Sequence, residues 1–266
     1  MKKYLIALKY IFLRFVLKRS FLVAKSHLID GKFKCNAKDV LGRHLYKYGM
    51  HEPENSRYLI NHLELKDNEI AIDIGANLGW YSVLLSRNST AGSTIYAFEP
   101  DPDNFKLLKH NSKENTCRNI QPINKAVSNR SENLKLHKYP EKNLGRHSLL
   151  AQEGTVPVDV SSVCLNEFFT TAEYPKIKFI KIDIEGFEYF ALQGASSLLE
   201  HCPFVMMEFS PHLYTEDDHS SKLVKFMTDY YFTPNLLNND KLKEISAIDL
   251  ISETKQIDVF WVKKSG

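Results

Sequence analysis

The chain has 266 residues, 43% apolar and 12% aromatic, with 35 Lys and Arg against 32 Asp and Glu. Such a composition excludes a disordered polypeptide, and the length suits one open α/β domain. Cys35, Cys117, Cys164 and Cys202 are scattered, and no histidines fall in an HxxxH or HExxH spacing. That excludes a disulfide framework and a His/Cys metal cage, and it points to a reducing compartment.

Residues 1–25, "MKKYLIALKYIFLRFVLKRSFLVAK", carry seven bases and no acid. Removing those seven leaves 28 bases against 32 acids, so a basic arm precedes a mildly acidic body. The pattern suits an anionic surface rather than a nucleic-acid-binding domain. Lys9, Arg14 and Lys18 interrupt the stretch, which excludes a membrane span of roughly 20 apolar residues and an unbroken signal-peptide core. At helical spacing Lys3, Arg14, Lys18 and Lys25 share one stripe, while Leu5, Phe12, Leu13, Phe15, Val16 and Leu17 cover much of the rest. The expectation is an interfacial helix, cytoplasmic and peripheral at the cytoplasmic face of an anionic membrane. The alternative is a helix docked on its own domain. Residues 1–52 are expected to form this extension and its lead-in, and 53–266 the main domain.

From Asp67 onward, apolar runs alternate with helical patterns. "EIAIDIG" predicts the first strand, with a helix over 78–86. "STIYAFEP" predicts the second strand, with a helix over 101–115, and "NIQPINKAV" the third, weakened by Pro122. "NLKLHKY" and "TVPVDVS" read as an inserted hairpin. "IKFIKIDIE" and its helix "FEYFALQGASSLLEH" follow, then "PFVMMEF" with a helix over 220–231. "TPNLLN" and "QIDVFWVKK" supply two more strands. The sum is a doubly wound α/β fold with about seven mostly parallel strands, binding its ligand at their carboxyl ends.

The first strand ends on Asp73 and opens into Gly75-Ala76-Asn77-Leu78-Gly79, where bare backbone can approach a ligand at a helix N-terminus. A dinucleotide fingerprint would need GxGxxG, and Asp73 would meet a diphosphate with the wrong sign. A carboxylate suits the ammonium and sulfonium of S-adenosylmethionine. Glu99, closing the second strand, can accept both ribose hydroxyls, although it would serve NAD equally.

"AIDIGANLGWYSVLL", "YAFEPDPDNFKLLKHN", "NKAVSN", "FIKIDIEGFEYFALQGA" and "PFVMMEF" resemble, in order and spacing, the motifs of FkbM-type S-adenosylmethionine-dependent methyltransferases. The resemblance spans about residues 43–209, and "GRHLYKYGMHEPENSRYL" is similar to the family's lead-in. It implies a class I methyltransferase fold and O-methylation of a hydroxyl on a sugar, glycolipid or related small molecule. By motif, Asp73, Gly75, Ala76, Asn77 and Gly79 would surround the methionine part, Glu99 the ribose, and Asn124 and Ala126 the adenine. Asn104 is expected to be structural.

Methyl transfer needs an aligned acceptor oxygen and a group that takes its proton. Strand alternation would put Lys181, Asp183 and Glu185 on one face at the rim. Asp183 is the first candidate base, Glu208 the second and His212, with its near-neutral titration, the third. Asp183 could instead pair with Lys181, and Glu185 could cap the next helix. The carboxylates could also hold a divalent cation, but no aspartate–asparagine pair stands beside Asp183, and no metal ligand is assigned. The insert "YPEKNLGRHSLLAQEG" offers Gly145 as a hinge and Arg146, His147 and Ser148 as donors over a polar acceptor. Two other functions fit the fold: an NAD(P)-dependent sugar oxidoreductase, and a non-catalytic membrane or partner docking protein.

Overall fold

The computed structural model describes residues 2–138, 148–149, 155–214 and 218–264. Helix α1 (Lys2–Ile11) runs into a π-helical turn over Phe12–Val16, and the chain then becomes strand β1 (Phe21–Ser26). β1 pairs antiparallel with β2 (Gly31–Asn36). This corrects the single helix expected over residues 1–25. "FLVAKS" alternates at period two, sending Leu22, Ala24 and Ser26 inward and Phe21, Val23 and Lys25 outward. Lys25 therefore leaves the helical stripe. Helix α2 (Val40–Tyr48) follows, capped by Asp39, whose carboxylate accepts from the Gly42 N–H, and ended by left-handed Gly49.

Helix α3 (Pro53–His62) leads to β3 (Ile70–Ile74), α4 (Trp80–Arg87), β4 (Thr94–Phe98), α5 (Pro102–Glu114) and β5 (Ile120–Ile123). β6 (Ala126–Val127), β7 (Asn133–Lys138) and β8 (Val156–Val163) form a separate small sheet, whose β7–β8 pair is the expected hairpin. Short α6 (Leu165–Phe168), β9 (Ile177–Ile182), α7 (Glu188–Gly194), α8 (Ser196–Leu199) and β10 (Phe204–Phe209) come next. The chain ends with α9 (His219–Asp229), β11 (Phe232–Asn238), β12 (Lys241–Glu244), α10 (Ala247–Ile251) and β13 (Ile257–Lys263).

Among the described residues the central sheet has eight strands in the order β12-β11-β13-β10-β9-β3-β4-β5. β5, β4, β3, β9 and β10 are parallel, and β13 inserts antiparallel between β10 and β11. This is the class I methyltransferase arrangement with one strand more than expected. The extra strand is the polar edge β12, "KLKE", which has no apolar alternation to announce it. "NIQPINKAV" divides after Ile123, where Ala126 and Val127 leave for the small sheet.

Alternation splits the sheet's side chains between two cores. Ile70, Ile72, Ile74, Ile180, Ile182 and Trp261 face α7, α8 and α9. Ala71, Phe179, Met206 and Phe260 face the other way and join Leu22, Phe33, Leu45, Leu59 and Trp80. The N-terminal hairpin and α2 thus share a core with the main sheet. Asp73, Lys181, Glu208 and Asp258 occupy the same alternate positions of β3, the end of β9, β10 and β13, and so gather on that second face.

Candidate active site

The glycine loop joins β3 to α4 with Gly75 at φ +80°, Asn77 at +52° and Gly79 at +92°. A Cβ on Gly75 would lie 1.9 Å from the Asp183 carbonyl oxygen, and one on Gly79 2.8 Å from Leu108 Cδ1. The glycines are required by the protein's own backbone and core as much as by any ligand. The N–H groups of Gly75 and Ala76 both donate to the Phe98 carbonyl at 3.0 Å, which locks the loop to the end of β4.

Glu99 follows β4 and is 5% exposed. Its two oxygens accept the N–H groups of Asn77 at 2.7 Å and Asp101 at 2.8 Å. Burial pushes its carboxyl up to about 8, against the pull of those two donors. The Asn124 amide donates to the carbonyls of Glu99 at 2.8 Å and Pro100 at 3.0 Å. Ala126 is buried beside Gly75 and Pro100 in a narrow apolar pocket of about 20 Å³, closed by Leu136 and Leu149. Asn104 is buried at the start of α5, where its N–H is capped by Asp101.

Asp73 is fully buried, and Ser82 Oγ donates to its Oδ2 at 2.5 Å. Its Oδ1 has no hydrogen-bond donor among the described residues and lies 4.0 Å from the Lys181 ammonium. Lys181 sits beside Asp73 in the register of β3 and β9. Its ammonium is 2.9 Å from Asp183 and 5.1 Å from the centre of the Tyr81 ring. Burial opposes that charge, but Asp183, Asp73 and Glu52 together hold Lys181 above the usual lysine range.

Strand geometry ends at Ile182, so alternation does not carry Glu185 to the rim as expected; a left-handed turn at Glu185, φ +51°, does so instead. Carboxylate oxygens of Asp183, Glu185 and Glu208 come within 4.8 Å of one another, a spacing that could hold a divalent cation. Burial, then the neighbouring Asp183, Glu185 and Glu188, hold Glu208 well above the usual carboxylate range. Gln256 donates an amide hydrogen to Glu208, and Ser210 Oγ donates to it at 3.3 Å. The turn into α7 is closed by Glu188, which accepts the Gly186 N–H at 2.9 Å. His212 is exposed on a 3-10 turn over Pro211–Leu213. Of the insert, Ser148 donates to the Glu185 carbonyl at 2.7 Å, while Gly145, Arg146 and His147 lie outside the described residues.

A strand order with β13 reversed between β10 and β11, a glycine loop after β3 and an acid after β4 define the setting. A profile described as the methyltransferase FkbM domain matches residues 73–234. The chain belongs to the FkbM methyltransferase family. It is therefore an S-adenosylmethionine-dependent methyltransferase, and the site suits that cofactor: buried Asp73 Oδ1 lacks a donor, and each Glu99 oxygen accepts a single N–H.

This FkbM methyltransferase is similar to an archaeal and a fungal methyltransferase. The hexuronic acid methyltransferase AglP of Haloferax volcanii is 25% identical over 185 residues, covering 66% of this chain and 74% of that one. Methyltransferase 1 of Beauveria bassiana is 27% identical over 152 residues, covering 48% and 59%. Among solved structures, the methyltransferase FkbM of Methylobacillus flagellatus KT superposes with TM-score 0.47 and 18% identity, covering 81% of this chain and 49% of that one. The M. jannaschii TYW2, in complex with AdoMet, gives 0.46 and 10%, covering 92% and 88%.

Sequence reasoning missed a second group on the same face of this FkbM methyltransferase. Glu52, at φ +40° ahead of α3, accepts from Tyr81 Oη, from Asn55 at 3.3 Å and from His51 Nε2 at 2.9 Å. Asn55 also donates to Asp258 at 2.7 Å. Burial works against the Glu52 charge, but His51, Lys181 and Tyr81 hold its carboxyl down to about 2. The available signals were a His-Glu pair before a helix-starting proline, and an acid inside the apolar run "IDVFW".

Proposed function

We propose that this chain transfers the methyl group of S-adenosylmethionine to a hydroxyl of a carbohydrate or glycolipid. The observation that carries this is the rim of Asp183, Glu185 and Glu208, three acidic groups beside the glycine loop and suited to accept hydrogen bonds from a polyol. The sugar substrate named for the archaeal relative supports the same acceptor class. Asp73, Gly75, Ala76, Asn77 and Gly79 would hold the methionine portion of the cofactor, Glu99 the ribose hydroxyls, and Asn124 and Ala126 the adenine edge. When bound, the cofactor supplies a methyl carbon already activated by a sulfonium. The protein then has to align the acceptor oxygen, exclude water and receive one proton. Asp183 and Glu208 would orient the acceptor, with His212 exposed on the turn that follows β10.

Acidic lining favours an acceptor without a carboxylate near the methylated hydroxyl, unlike the hexuronic acid in the relative's name. The test is transfer of labelled methyl from the cofactor to neutral hexosides, hexosaminides and hexuronates. Neutral or amino sugars are expected to gain the label and hexuronates to gain little, with turnover surviving a chelator. Absence of transfer to any hydroxyl overturns the proposal, and a magnesium-restored loss assigns Asp183, Glu185 and Glu208 to a metal.

We also propose that residues 2–25 rest on an anionic membrane. Among the described residues no helix is long and apolar enough to cross one. Leu8, Phe12, Phe15 and Val16 are 51–62% exposed, and Lys9, Lys18 and Arg19 are exposed among them. Phe21 and Val23 extend that surface across the hairpin, beside Lys25 and Lys32. Apolar side chains ringed by cations suit the headgroup boundary.

A further inference from the structure

The lead-in before α3 brings a histidine to the site. His51 and Glu52 are each 28% exposed; Lys181 and Asp183 act electrostatically on His51, and Asn55 links Glu52 to Asp258. The His51 ring stands edge-on to Tyr81 with centroids 6.3 Å apart, and Tyr81 lies one residue into the helix that follows the glycine loop. Glu52 is fixed from three sides, by Tyr81, Asn55 and His51. It adopts a left-handed backbone conformation rare for a residue with a side chain. Such strain persists where the surroundings over-determine it, as at active sites.

We propose that His51, held by Glu52, is the base that takes the proton of the acceptor hydroxyl, an inference that rests on the methyl-transfer function proposed above. A carboxylate can only accept hydrogen bonds at neutral pH, so Nε2 of His51 carries the hydrogen of the 2.9 Å contact. The lone pair of the neutral ring is then at Nδ1. This is the base-plus-orienter pairing that acid–base catalysis uses repeatedly. The other candidates are engaged: Asp183 faces the Lys181 ammonium at 2.9 Å, and Glu208 takes donors from Gln256 and Ser210. A carboxylate neutralised by an ammonium is a weak base towards an alcohol.

The acceptor oxygen forms a bond to the methyl carbon with a lone pair, and the carbon–sulfur bond breaks with its electrons left on sulfur. The hydroxyl proton passes to Nδ1, giving an imidazolium beside the Glu52 carboxylate, and later leaves to solvent.

The charged and titratable groups around His51 are Glu52 before α3, Asp183 and Lys181 from β9 and its rim, Tyr81 from α4, His44 from α2, and Asp258 through Asn55. Burial lowers His51, but the Glu52 bond and charge and the Asp183 charge prevail and raise it above its ordinary value. Turnover of the full chain should therefore rise with pH through a limb above 6.5. His51→Ala should lower kcat by about 10²–10⁴-fold, with cofactor affinity by calorimetry unchanged and activity restored in part by added imidazole. Glu52→Gln should lower kcat and move the limb to lower pH, because the group that raises His51 is gone. Labelled methyl from the cofactor and the hexoside panel are the probes. If the wild type labels an acceptor and His51→Ala keeps its rate, or loses it without imidazole rescue, this assignment falls while the methyltransferase function stands. If the wild type binds cofactor but labels no hydroxyl, both fall.

Discussion

Glu99 stands in a conflict that the cofactor would resolve. Its carboxyl is pushed up to about 8 by burial although two backbone N–H groups point at it. A raised acid is held protonated in the fold, so its contribution to stability is present at low pH and is lost as pH rises from 4.5 through about 8. Ribose hydroxyls donate to the carboxylate form, so binding should release a proton and tighten as pH rises towards 8. Calorimetry in buffers of different ionisation enthalpy measures that release. Glu99→Gln should abolish it and weaken binding by about 1.5–3 kcal/mol, while raising the melting temperature of the free protein at pH 8. Unchanged proton release in that variant rejects the assignment. Asp73 and Glu99 were legible because an acid closing an apolar strand needs a reason. The glycines were legible as positions but not in their cause: the Asp183 carbonyl that excludes a Cβ at Gly75 comes from the turn after β9, over 100 residues away in sequence. His51 and Glu52 stayed hidden because a local His-Glu pair does not show which face of a sheet it will reach.

At the scale of elements, the hairpin β1–β2 is tied to the cofactor loop by helix α5. The Asn111 side chain accepts the Lys34 N–H at 2.8 Å and donates to the carbonyls of Lys34 and Leu78. One turn later, Asn115 accepts the Lys32 N–H at 2.9 Å and donates to the Lys32 carbonyl at 2.7 Å. Two amides at helical spacing thus stand in for a neighbouring strand along the edge of β2. Asn111→Ala leaves three buried or half-buried backbone groups without these partners. It should lower stability by about 1–3 kcal/mol and also weaken cofactor binding, since Leu78 belongs to the glycine loop. Denaturant unfolding and calorimetry read the two effects, and lost stability with intact affinity would show that the clasp does not reach the loop. Parallel strands β3, β4, β9 and β10 could be read directly, as each is a buried apolar run with a helical pattern after it, whereas β5, "IQPI", is a half-buried edge that passes into the small sheet. β1 and β12 could not: the first lies beside a sequence of helical period, and the second is a short polar edge with one apolar residue, Leu242.

For the whole molecule, charge and apolarity are laid out in opposition: a basic, greasy N-terminal surface and an acid-lined site. Deleting the arm would confound its test, because Tyr10, Leu22 and Ala24 are buried and Tyr10 donates to the Ala37 carbonyl at 2.8 Å. Point substitutions avoid this. Phe12→Ser with Phe15→Ser should reduce co-sedimentation with anionic liposomes, and Lys9→Ser with Lys18→Ser should weaken its salt-sensitive part by about 1 kcal/mol per charge. Cofactor affinity should be untouched in both. Failure of the wild type to bind anionic vesicles at low salt removes the membrane from the account.

β13 carries a consequence for how this architecture is reached. It follows β10, β11 and β12 in sequence, yet it lies between β10 and β11, placing Val259 and Trp261 in one core and Phe260 in the other. Until it arrives, two interior strands each expose an unsatisfied ladder, and neither core is closed. The parallel strands through β10 can assemble as they emerge from the ribosome, but the sheet becomes continuous only when a segment that begins 48 residues beyond the end of β10 threads back into its middle. Such non-local pairing folds slowly and leaves sticky edges open meanwhile. The vulnerable moment of this molecule's life is therefore the interval just before β13 docks.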